Sequence, residues 1–319
     1  GSLPREAVAA FLEDRHPEPH AKVDGVLLTA HSRIGRPDAP DLLDYLDRQG
    51  FVALDNALSM DPESYLEFIE RCGILGRGGA MFPLGRKWRF TRAAPGELKY
   101  IVVNGAESEP GTFKDRCLME EDPYAVIEGA MLAAYAVGAN KGWIFVRGEY
   151  PRAHRRLSEA VEEVRRAGYL GQDIMGKEGF NFEMEVRRGA GAYICGEETA
   201  LFEAIEGKRG FPRIRPPFPT TNGLFGRPTA INNVETLATA RLVTLLGSEM
   251  WLAHGTTNSP GTKLFCLSGN VVHPGLYEAP FGITVRELIT RAGGVPEGRD
   301  IQAVLLGGAA GLFITPDSL

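Results

Sequence analysis

The stretch Tyr100–Gly111 reads YIVVNGAESEPG, and it decides the fold. Its first four residues, Tyr100–Val103, are aromatic or β-branched, which predicts a buried strand. The polar turn Asn104–Gly111 follows at once, and after it come a helical pattern over Pro123–Gly138 and a second apolar run at Gly142–Val146. Strands that alternate with helices in this way favour a parallel sheet with helices packed on it.

The alternation extends on both sides of this stretch. Apolar spacing and capping residues predict further helices over Asp41–Arg48, Glu63–Cys72, Ala153–Ala167, Glu197–Glu206 and Asn233–Leu246. The sequence also predicts a strand over Phe180–Val186, a functional loop over Lys208–Arg227 and a linker over Trp251–Gly261. After the linker, a small α+β unit is predicted from the strand, strand, helix and strand patterns of Lys263–Ser268, Gly275–Glu278, Thr284–Ala292 and Ala303–Leu306.

These patterns predict an α/β fold with three parts. A helical segment with a glycine-rich loop occupies residues 1–84, a domain with a parallel sheet occupies residues 85–250, and the small α+β module occupies residues 258–319. A chain of 319 residues exceeds what one hydrophobic core usually organises, which agrees with this division.

Composition excludes several classes of protein. The chain is 44% hydrophobic and 24% charged, as folded domains are, and its net charge of −6 argues against nucleic-acid binding. The longest small and apolar run, Ala130–Ala139, is far shorter than the roughly 20 residues that a membrane span requires. No charged start followed by an apolar stretch marks a signal peptide, and we therefore expect a cytoplasmic protein.

The cysteines and histidines form no recognisable metal motif. The four cysteines are widely spaced, whereas zinc and iron–sulfur ligands usually come in close pairs. His16 and His20 are four residues apart, but Pro17 and Pro19 forbid the helix that would bring them together. We expect buried, reduced thiols and no metal site.

Two polar turns after predicted strands, Asn104–Gly111 and Gly189–Tyr193, carry candidate binding residues. Such turns are where open α/β sheets bind ligands, because small residues admit a ligand and helix N-termini attract phosphate. Four carboxylates on or after these turns are suited to ribose hydroxyls or flavin N–H groups: Glu107, Glu109, Glu197 and Glu198. They also disfavour a 2′-phosphate, which favours NADH over NADPH. The alternative for Glu197 and Glu198 is that they only complement a helix dipole.

A glycine-rich loop and its neighbours indicate a flat ligand with phosphates. The loop Gly76–Gly79 is not a dinucleotide fingerprint, because a helix precedes it and Met81 stands where the third glycine belongs. Arg77 and Lys87 supply positive charge beside it. The aromatic candidates for stacking are Phe82, Trp88, Phe90 and Phe218, and their alternative role is packing in the core.

Several motifs in a fixed order resemble one family. They are GRGGAMFP at Gly76–Pro83, KW at Lys87–Trp88, ESEPG at Glu107–Gly111, KDR at Lys114–Arg116, GAGAYICGEETAL at Gly189–Leu201, PPFP at Pro216–Pro219 and NNVET at Asn232–Thr236. From roughly residue 60 to its end, the chain resembles the NADH-binding flavoprotein subunit of respiratory complex I and its relatives in NAD-linked hydrogenases and formate dehydrogenases. The resemblance implies a Rossmann-like FMN-binding domain followed by a β-grasp module of the SLBB type.

The resemblance also implies roles for individual residues. Those implied to line FMN are Arg77, Gly78, Gly79, Lys87, Asn104, Glu107, Tyr193, Gly196, Glu197, Asn232 and Asn233. Those implied to contact NADH are Phe82, Phe90 and Phe218 by stacking, Glu109 and Glu198 through hydroxyl or amide groups, and Arg215. Hydride transfer to a flavin needs no acid–base side chain, so no catalytic residue is expected in the protein itself.

The chain departs from the family pattern at several positions. Gly105-Ala106 stands where the family turn has Ala-Asp, so a carboxylate that faces the flavin is missing. Met81 replaces a glycine, and Leu84 replaces a threonine. No Cys-x-x-Cys-x-x-Cys segment follows, so the ligands of the family's [4Fe–4S] cluster are absent and the β-grasp module is expected to be incomplete at Leu319.

We therefore predict an FMN-dependent NADH:acceptor oxidoreductase module that passes electrons singly to iron–sulfur acceptors, with a final acceptor of the quinone or ferredoxin type. Retention of both Glu109 and Glu198 favours this function over two alternatives. One is a non-catalytic paralogue that acts as a scaffold or ligand-binding subunit, supported by Ala106 and Met81, and the other is a flavin electron conduit that does not use NADH. The expected partners are NADH, a thioredoxin-like [2Fe–2S] subunit and a larger redox complex at the inner face of the membrane, without nucleic acid and without a membrane span.

Overall fold

The computed structural model describes residues 22–24, 27–29, 31–35 and 40–319. His16 and His20, and most of the predicted helical segment before residue 40, lie outside the described residues. The strands are β1 (Lys22–Asp24), β2 (Tyr100–Gly105), β3 (Lys141–Val146), β4 (Glu183–Arg188), β5 (Thr229–Asn233), β6 (Gly255–Thr256), β7 (Ser259–Pro260), β8 (Thr262–Leu267), β9 (Gly275–Pro280), β10 (Val304–Leu306) and β11 (Leu312–Ile314). The α-helices are α1 (Leu42–Asp47), α2 (Val52–Leu58), α3 (Pro62–Arg71), α4 (Leu84–Ala93), α5 (Lys114–Glu121), α6 (Pro123–Val137), α7 (Pro151–Arg166), α8 (Glu198–Ile205), α9 (Pro219–Asn222), α10 (Val234–Leu246), α11 (Ser248–Leu252) and α12 (Val285–Arg291).

The larger sheet is parallel, and its strand order is β4-β3-β2-β5. Side chains on β2 alternate between two buried clusters, with Ile101 and Val103 on one face and Val102 on the other. Helices α6 and α10 belong to the first cluster, and α8 belongs to the second. A strand buried on both faces reads as a continuous apolar run, which is why the β2 sequence does not alternate. The predicted α/β fold with a parallel sheet is confirmed.

Helix α6 lies at the centre of the first face. All of its residues are buried, and it ends where Gly138 adopts the left-handed conformation at φ 79°. A helix that is apolar on every side belongs inside a protein core or a membrane. In the described part of the chain, however, no helix combines the length and the apolar character that crossing a bilayer requires.

A second, smaller sheet has the strand order β1-β9-β8. Strands β8 and β9 are antiparallel, whereas β1 joins β9 in parallel, with Lys22 opposite Gly275. The fully buried Glu278 on β9 fixes this junction, because its carboxylate accepts hydrogen bonds of 2.7–3.0 Å from the backbone N–H groups of residues 27–29. A segment far ahead of the C-terminal module in sequence therefore completes its sheet.

Another buried carboxylate fastens the first helices to the core. Glu128 on α6 accepts from the backbone N–H groups of Phe51 at 3.0 Å and Leu54 at 2.9 Å, and from Arg241 Nε at 3.3 Å. Phe51 precedes α2 in a left-handed conformation and offers no side-chain cap. Glu128 thus supplies the acceptor that the N-terminus of α2 lacks.

The predicted linker over Trp251–Gly261 is wrong. Trp251 belongs to α11, is only 1% exposed, and donates from Nε1 to the Cys72 carbonyl at 3.1 Å. Its ring packs so closely on Gly261 that a methyl group there would overlap it. The glycine and polar residues of this stretch suggested a linker, but the stretch is packed against the core. The sequence pattern does not show this, because Trp251 contacts residues that are distant in sequence.

The bounds of some other predicted elements differ in the structure, and some elements of the structure were not predicted. The strand predicted over Phe180–Val186 is β4, which begins only at Glu183, and Phe180 and Phe182 are buried ahead of it. The predicted loop Lys208–Arg227 contains the short helix α9. The elements that were not predicted include α2, α4, α5 and β5, which lack a clear apolar period, and also β1, β6, β7, β11 and α11. Tertiary packing rather than local pattern stabilises these elements.

Replacing Glu278 by glutamine should lower the free energy of unfolding by about 2–4 kcal/mol, because one amide oxygen cannot satisfy the buried donors that two carboxylate oxygens now accept from. Urea unfolding measures the change. Glu287→Gln is the matched control, since Glu287 also accepts two hydrogen bonds, from Thr284, but at an exposed helix end. There the expected loss is below about 1 kcal/mol, and equal losses in the two variants would contradict the anchoring role of Glu278.

Candidate functional site

The carboxyl ends of β2 and β5 define a crevice in the parallel sheet. The chain leaves β2 for β3 on one side and later returns to β5 on the other, so the connections diverge between β2 and β5. Ligands of open α/β sheets bind outside such a point of divergence. Asn104 at the end of β2 and Asn233 at the end of β5 are paired residues in the register, so the crevice is bracketed by two asparagines.

A cavity of about 1480 Å³ opens from this crevice. Of the residues predicted to bind cofactor or nucleotide, those that line it are Arg77, Gly78, Gly79, Asn104, Glu107, Glu109, Tyr193, Gly196, Glu197 and Asn233. The opposite wall comes from the C-terminal module, through residues 263–271 and 299–308. The cavity therefore lies between the parallel sheet and the C-terminal module.

The sheet side of the cavity is lined by backbone at three glycines. A Cβ at Gly78 would lie 3.3 Å from Asn233 Cβ, and a Cβ at Gly196 would lie 3.3 Å from the Ala106 carbonyl. Gly79 has φ 110° and open space where a Cβ would stand. This lining lets a flat ligand reach the backbone N–H groups, as a cofactor cradle requires.

Asn104 ties the two polar turns together. Its side-chain Nδ2 donates to the Gly196 carbonyl at 3.0 Å, and its Oδ1 accepts from the Ala106 backbone N–H at 3.1 Å. The turn after β2 and the turn that precedes α8 are thereby held as one rim of the cavity. The sequence predicted both turns, and the structure brings them together.

A buried charge cluster lies beneath the rim and consists of Arg77, Lys114, Asp115, Glu235 and Lys263. Lys114 Nζ lies 2.8 Å from Asp115 Oδ1 and 2.9 Å from Glu235 Oε2. Arg77 Nε lies 4.0 Å from Glu235 Oε1. Glu107 also acts on Lys114, so three cations here face three carboxylates. The amines of Lys114 and Lys263 line the cavity and are the cationic groups that can meet an anionic ligand.

The pKa values of the cluster follow from burial and pairing. Burial lowers the pKa of Lys263, which Glu235 only partly opposes. Burial also acts to lower the pKa of Lys114, but the carboxylates of Asp115 and Glu235 outweigh it and the pKa is raised. Lys114 therefore keeps its proton, and Glu235 stays ionised because Lys114 and Arg77 hold its pKa below the usual value against burial.

Arg77 is buried and its guanidinium group is engaged by protein. It donates to the Leu75 carbonyl at 3.0 Å and the Thr262 carbonyl at 2.8 Å, and it lies over the rings of Trp251 and Phe281. Arg77 therefore joins the glycine-rich loop to the C-terminal module, and its backbone N–H is engaged as well, since it donates to Thr236 Oγ1 at 2.9 Å.

Glu107 caps helix α5 from below the cavity. Its two carboxylate oxygens accept from the backbone N–H groups of Asp115 and Arg116, both at 3.0 Å, and Tyr150 donates to it at 3.2 Å. Burial, reinforced by the neighbouring charge of Asp115, raises the pKa of Glu107 to about 7. Its position explains why a glutamate follows the β2 turn, since α5 has no cap of its own.

The two glutamates after the second turn accept hydrogen bonds from different groups. Glu197 is the N-cap of α8 and accepts from the backbone N–H groups of Thr199 and Ala200. Glu198 pairs with Arg215, whose Nη1 lies 2.6 Å from Oε1. Glu197 therefore caps the helix, but its Oε1 also lies 3.6 Å from Arg215 Nη2, so both glutamates are paired with Arg215.

The remaining predicted residues do not line this cavity. Lys87 is half-buried and its Nζ donates to the Ile231 carbonyl at 2.9 Å, and the next residue on β5, Asn232, is buried. The aromatic side chains of Phe82, Phe90 and Phe218 are 39–58% exposed. Trp88, in contrast, is fully buried, so the core-packing alternative holds for that residue alone among the four aromatics.

Met81, beside Phe82, has φ 50°, in the left-handed region that favours glycine. This is the position where the related family pattern has glycine. The backbone of the loop thus keeps a glycine conformation although the side chain has changed.

Sequence reasoning missed Lys263 and the whole wall contributed by the C-terminal module. Lys114 belongs to the KDR motif, but the sequence analysis predicted no function for it. Asp115 is next to Lys114 in sequence, but the other partners of Lys114, Glu235 and Asn233 Oδ1 at 3.3 Å, come from a distant part of the chain, as do the groups around Lys263. Among the described residues, no group of three or more His, Cys, Asp or Glu side chains is arranged to hold a metal ion.

Comparison with known families and structures matches this architecture. The sequence matches the Nuo51 FMN-binding domain over residues 69–241 and the SLBB domain over residues 264–309. It is 48% identical to an NADH-quinone oxidoreductase subunit of Rhizobium meliloti, over 89% of this chain and 68% of that protein. It is 46% identical to the corresponding NADH-quinone oxidoreductase subunit of Aquifex aeolicus, over 86% and 64%.

A solved structure has the same fold. One chain of an NAD+-reducing [NiFe]-hydrogenase in the H2-reduced state matches with a TM-score of 0.78 and 40% identity, over 88% of this chain and 47% of that one. The present chain thus spans about two thirds of the two curated relatives and about half of the hydrogenase chain. These matches confirm the resemblance that the ordered motifs predicted.

The stability of the protein should fall as the pH rises from about 5 to about 8. The folded state holds the Glu107 proton up to about pH 7, whereas the ordinary glutamate pKa is 4.5, so the folded state binds more protons in this window. Buried Asp122, with its pKa raised to about 6, acts in the same direction. Glu107→Gln should reduce the pH dependence of the free energy of unfolding by about 2 kcal/mol.

The control is Glu149→Gln. A hydrogen bond from Arg147 lowers the pKa of Glu149, so its contribution changes only at lower pH. Unfolding by urea at several pH values measures all three proteins. An unchanged slope in the Glu107 variant would mean that this carboxylate is ionised throughout the window.

Proposed function

The chain belongs to the Nuo51 FMN-binding family, and on this premise we propose that its cavity binds FMN and NADH. The protein then serves as the NADH-oxidising module of a larger redox complex. FMN, when bound, supplies the chemistry, since a flavin accepts a hydride from NADH and releases the electrons singly. The side chains of this protein bind, orient and shield the two ligands, and none is required to transfer a proton.

One observation carries the proposal. The cavity lies at the point of strand divergence, has a glycine lining on its sheet side and is also lined by the cationic side chains of Lys114 and Lys263. Its volume of about 1480 Å³ exceeds the roughly 300–1,000 Å³ that a site for one small molecule usually has. That volume suits a cofactor together with part of a nucleotide, while Phe82, Phe90 and Phe218 lie outside the cavity lining.

The residues on the sheet side fit FMN. Backbone of the glycine-rich loop from Arg77 to Gly79 and the amide side chains of Asn104 and Asn233 would hold it, with Tyr193, Gly196 and Glu197 along the rim. The amines of Lys114 and Lys263 in the cavity lining are the counterpart for a phosphate. Glu107 lines the cavity while it caps α5, Lys87 supports the site from behind through its hydrogen bond to Ile231, and Asn232 is buried next to Asn233 on β5.

The exposed aromatic and acidic residues fit NADH. Phe82 and Phe90, with Phe218 alongside, offer faces on which a nicotinamide or adenine ring can stack. Glu109 and Glu198 offer carboxylates to hydroxyl or amide groups, and Arg215 fixes Glu198. Carboxylates at these positions repel a 2′-phosphate, and we therefore propose NADH rather than NADPH as the donor.

We propose iron–sulfur centres of partner subunits as the immediate electron acceptors. The final acceptor is of the quinone or ferredoxin type, and the names of the two curated relatives support the quinone. A thioredoxin-like [2Fe–2S] subunit and a larger complex on the cytoplasmic side of the membrane complete this proposal. The division into residues 1–84, 85–250 and 258–319 is proposed as the domain arrangement, with the small contribution of β1 to the last part.

Adding FMN to the purified protein should give a stable yellow complex whose visible flavin absorbance bleaches when NADH is added without oxygen. Gly79→Ala should weaken FMN binding by about tenfold or more, because the new methyl group enters the cradle. Gly168→Ala is the matched control. Gly168 also has a positive φ and open space around it, but it lies in the turn after α7.

Fluorescence quenching of FMN measures both affinities. FMN binding that both variants retain equally would place the cofactor elsewhere. Protein that binds no FMN would favour the scaffold alternative, and FMN that NADPH or reduced ferredoxin bleaches faster than NADH would favour the electron-conduit alternative.

Phe82→Ala should raise the Kd for NADH by about tenfold while FMN binding stays the same, because one stacking face contributes roughly 1–3 kcal/mol. Phe211→Ala is the control, since Phe211 is also an exposed aromatic residue but is not a proposed ligand contact. Titration of the FMN-loaded protein with NADH measures both. Equal effects of the two substitutions would contradict a stacking role for Phe82.

A further inference from the structure

The tip of the β10–β11 hairpin holds the carboxylate of Glu109. The backbone N–H of Ala309 donates to Glu109 Oε1, and the Tyr193 hydroxyl donates to Oε2 at 2.6 Å. These donors, with the neighbouring amide of Ala310, lower the pKa of Glu109 and keep it ionised. Both oxygens of a residue proposed to meet NADH are therefore engaged by the protein itself.

The hairpin reaches Glu109 only because its tip is made of glycines. Gly307 and Gly308 have φ 86° and 76°, which gives the tight reversal between the strands. Gly308 lies directly against Glu109, so a methyl group on it would overlap the carboxylate. Glu109 is a flexible side chain, so it would move away before the backbone of the tip did.

Little else fastens this hairpin to the rest of the molecule. Four of its apolar side chains are 40–69% exposed, those of Leu305, Leu306, Leu312 and Phe313, and those of Val304 and Ile314 are half-buried. Just after β11, Arg286 donates to the Pro316 carbonyl at 2.9 Å. Burial of apolar surface therefore contributes little to its position, and segments of this kind open at low free energy. The hydrogen bond from the Ala309 N–H to Glu109 therefore contributes much of what holds the tip in position.

We propose that residues 307–310 form a latch that holds Glu109 in the absence of nucleotide and releases it when NADH binds. This inference rests on the proposed function, because it takes Glu109 to be a contact for the nucleotide. A ribose hydroxyl or amide group must displace the Ala309 N–H from Oε1, so the closed latch lowers the apparent affinity for NADH. Release then frees the mouth of the cavity on the side of the C-terminal module.

The test compares Gly308→Ala with Gly307→Ala in the FMN-loaded protein. Both residues have positive φ, so both variants strain the backbone alike, but the methyl group at position 307 meets only Gly311 Cα at 3.6 Å. Gly308→Ala should lower the Kd for NADH by about threefold to tenfold, because the Glu109 carboxylate is displaced from the tip. Gly307→Ala should leave the Kd unchanged.

Hydrogen exchange of the Ala309 amide in the wild-type protein gives a second measurement. Protection of this amide should fall when NADH is added. The same NADH affinity in all three proteins, or undiminished protection with NADH bound, overturns the latch while the proposed function stands. Failure of NADH to bind to any of the three proteins overturns both.

Discussion

The buried carboxylate of Glu235 is the interaction on which the arrangement of the site depends. It lies at the start of α10, where the parallel sheet ends, and its Oε1 accepts from the Leu264 backbone N–H at 2.8 Å on β8. Lys114 and Arg77 approach the same group. A buried charge that loses its partners costs several kcal/mol, so the second sheet must dock where these charges are satisfied.

The charged junction explains why the cavity has two kinds of wall. The parallel sheet supplies the glycine-lined side. The connections from its strands diverge between β2 and β5, so the strand ends at Asn104 and Asn233, which are paired in the register, are left open to the cavity. The C-terminal module supplies the other side, because Arg77 and Glu235 bind its first strand through the Thr262 carbonyl and the Leu264 amide. The same residues thus position the cofactor cradle and close the cavity around it.

Much of this could be predicted from the sequence where the signal is local. The runs at β2 and β3, the Asp61 cap of α3 and the polar turns were recognisable because propensity and position agree. The buried Trp251 and the lining Lys263 were not, since their surroundings come from distant segments. Glu107 shows the limit within a correct motif, because the pattern placed it at the site but could not tell that its carboxylate caps α5.

The junction of β1 with β9 has a consequence for how the chain is made. Residues 27–29 bind a carboxylate about 250 positions further along, so the ribosome delivers one half of this contact long before the other. Closing so long a loop costs roughly 5 kcal/mol of chain entropy, and the pairing must await the synthesis of β9. Until then the parallel sheet can fold on its own. Before β1 pairs with it, β9 has an unpaired edge, and such edges can pair with strands of other molecules. The β1 segment thereby protects the nascent chain from self-association.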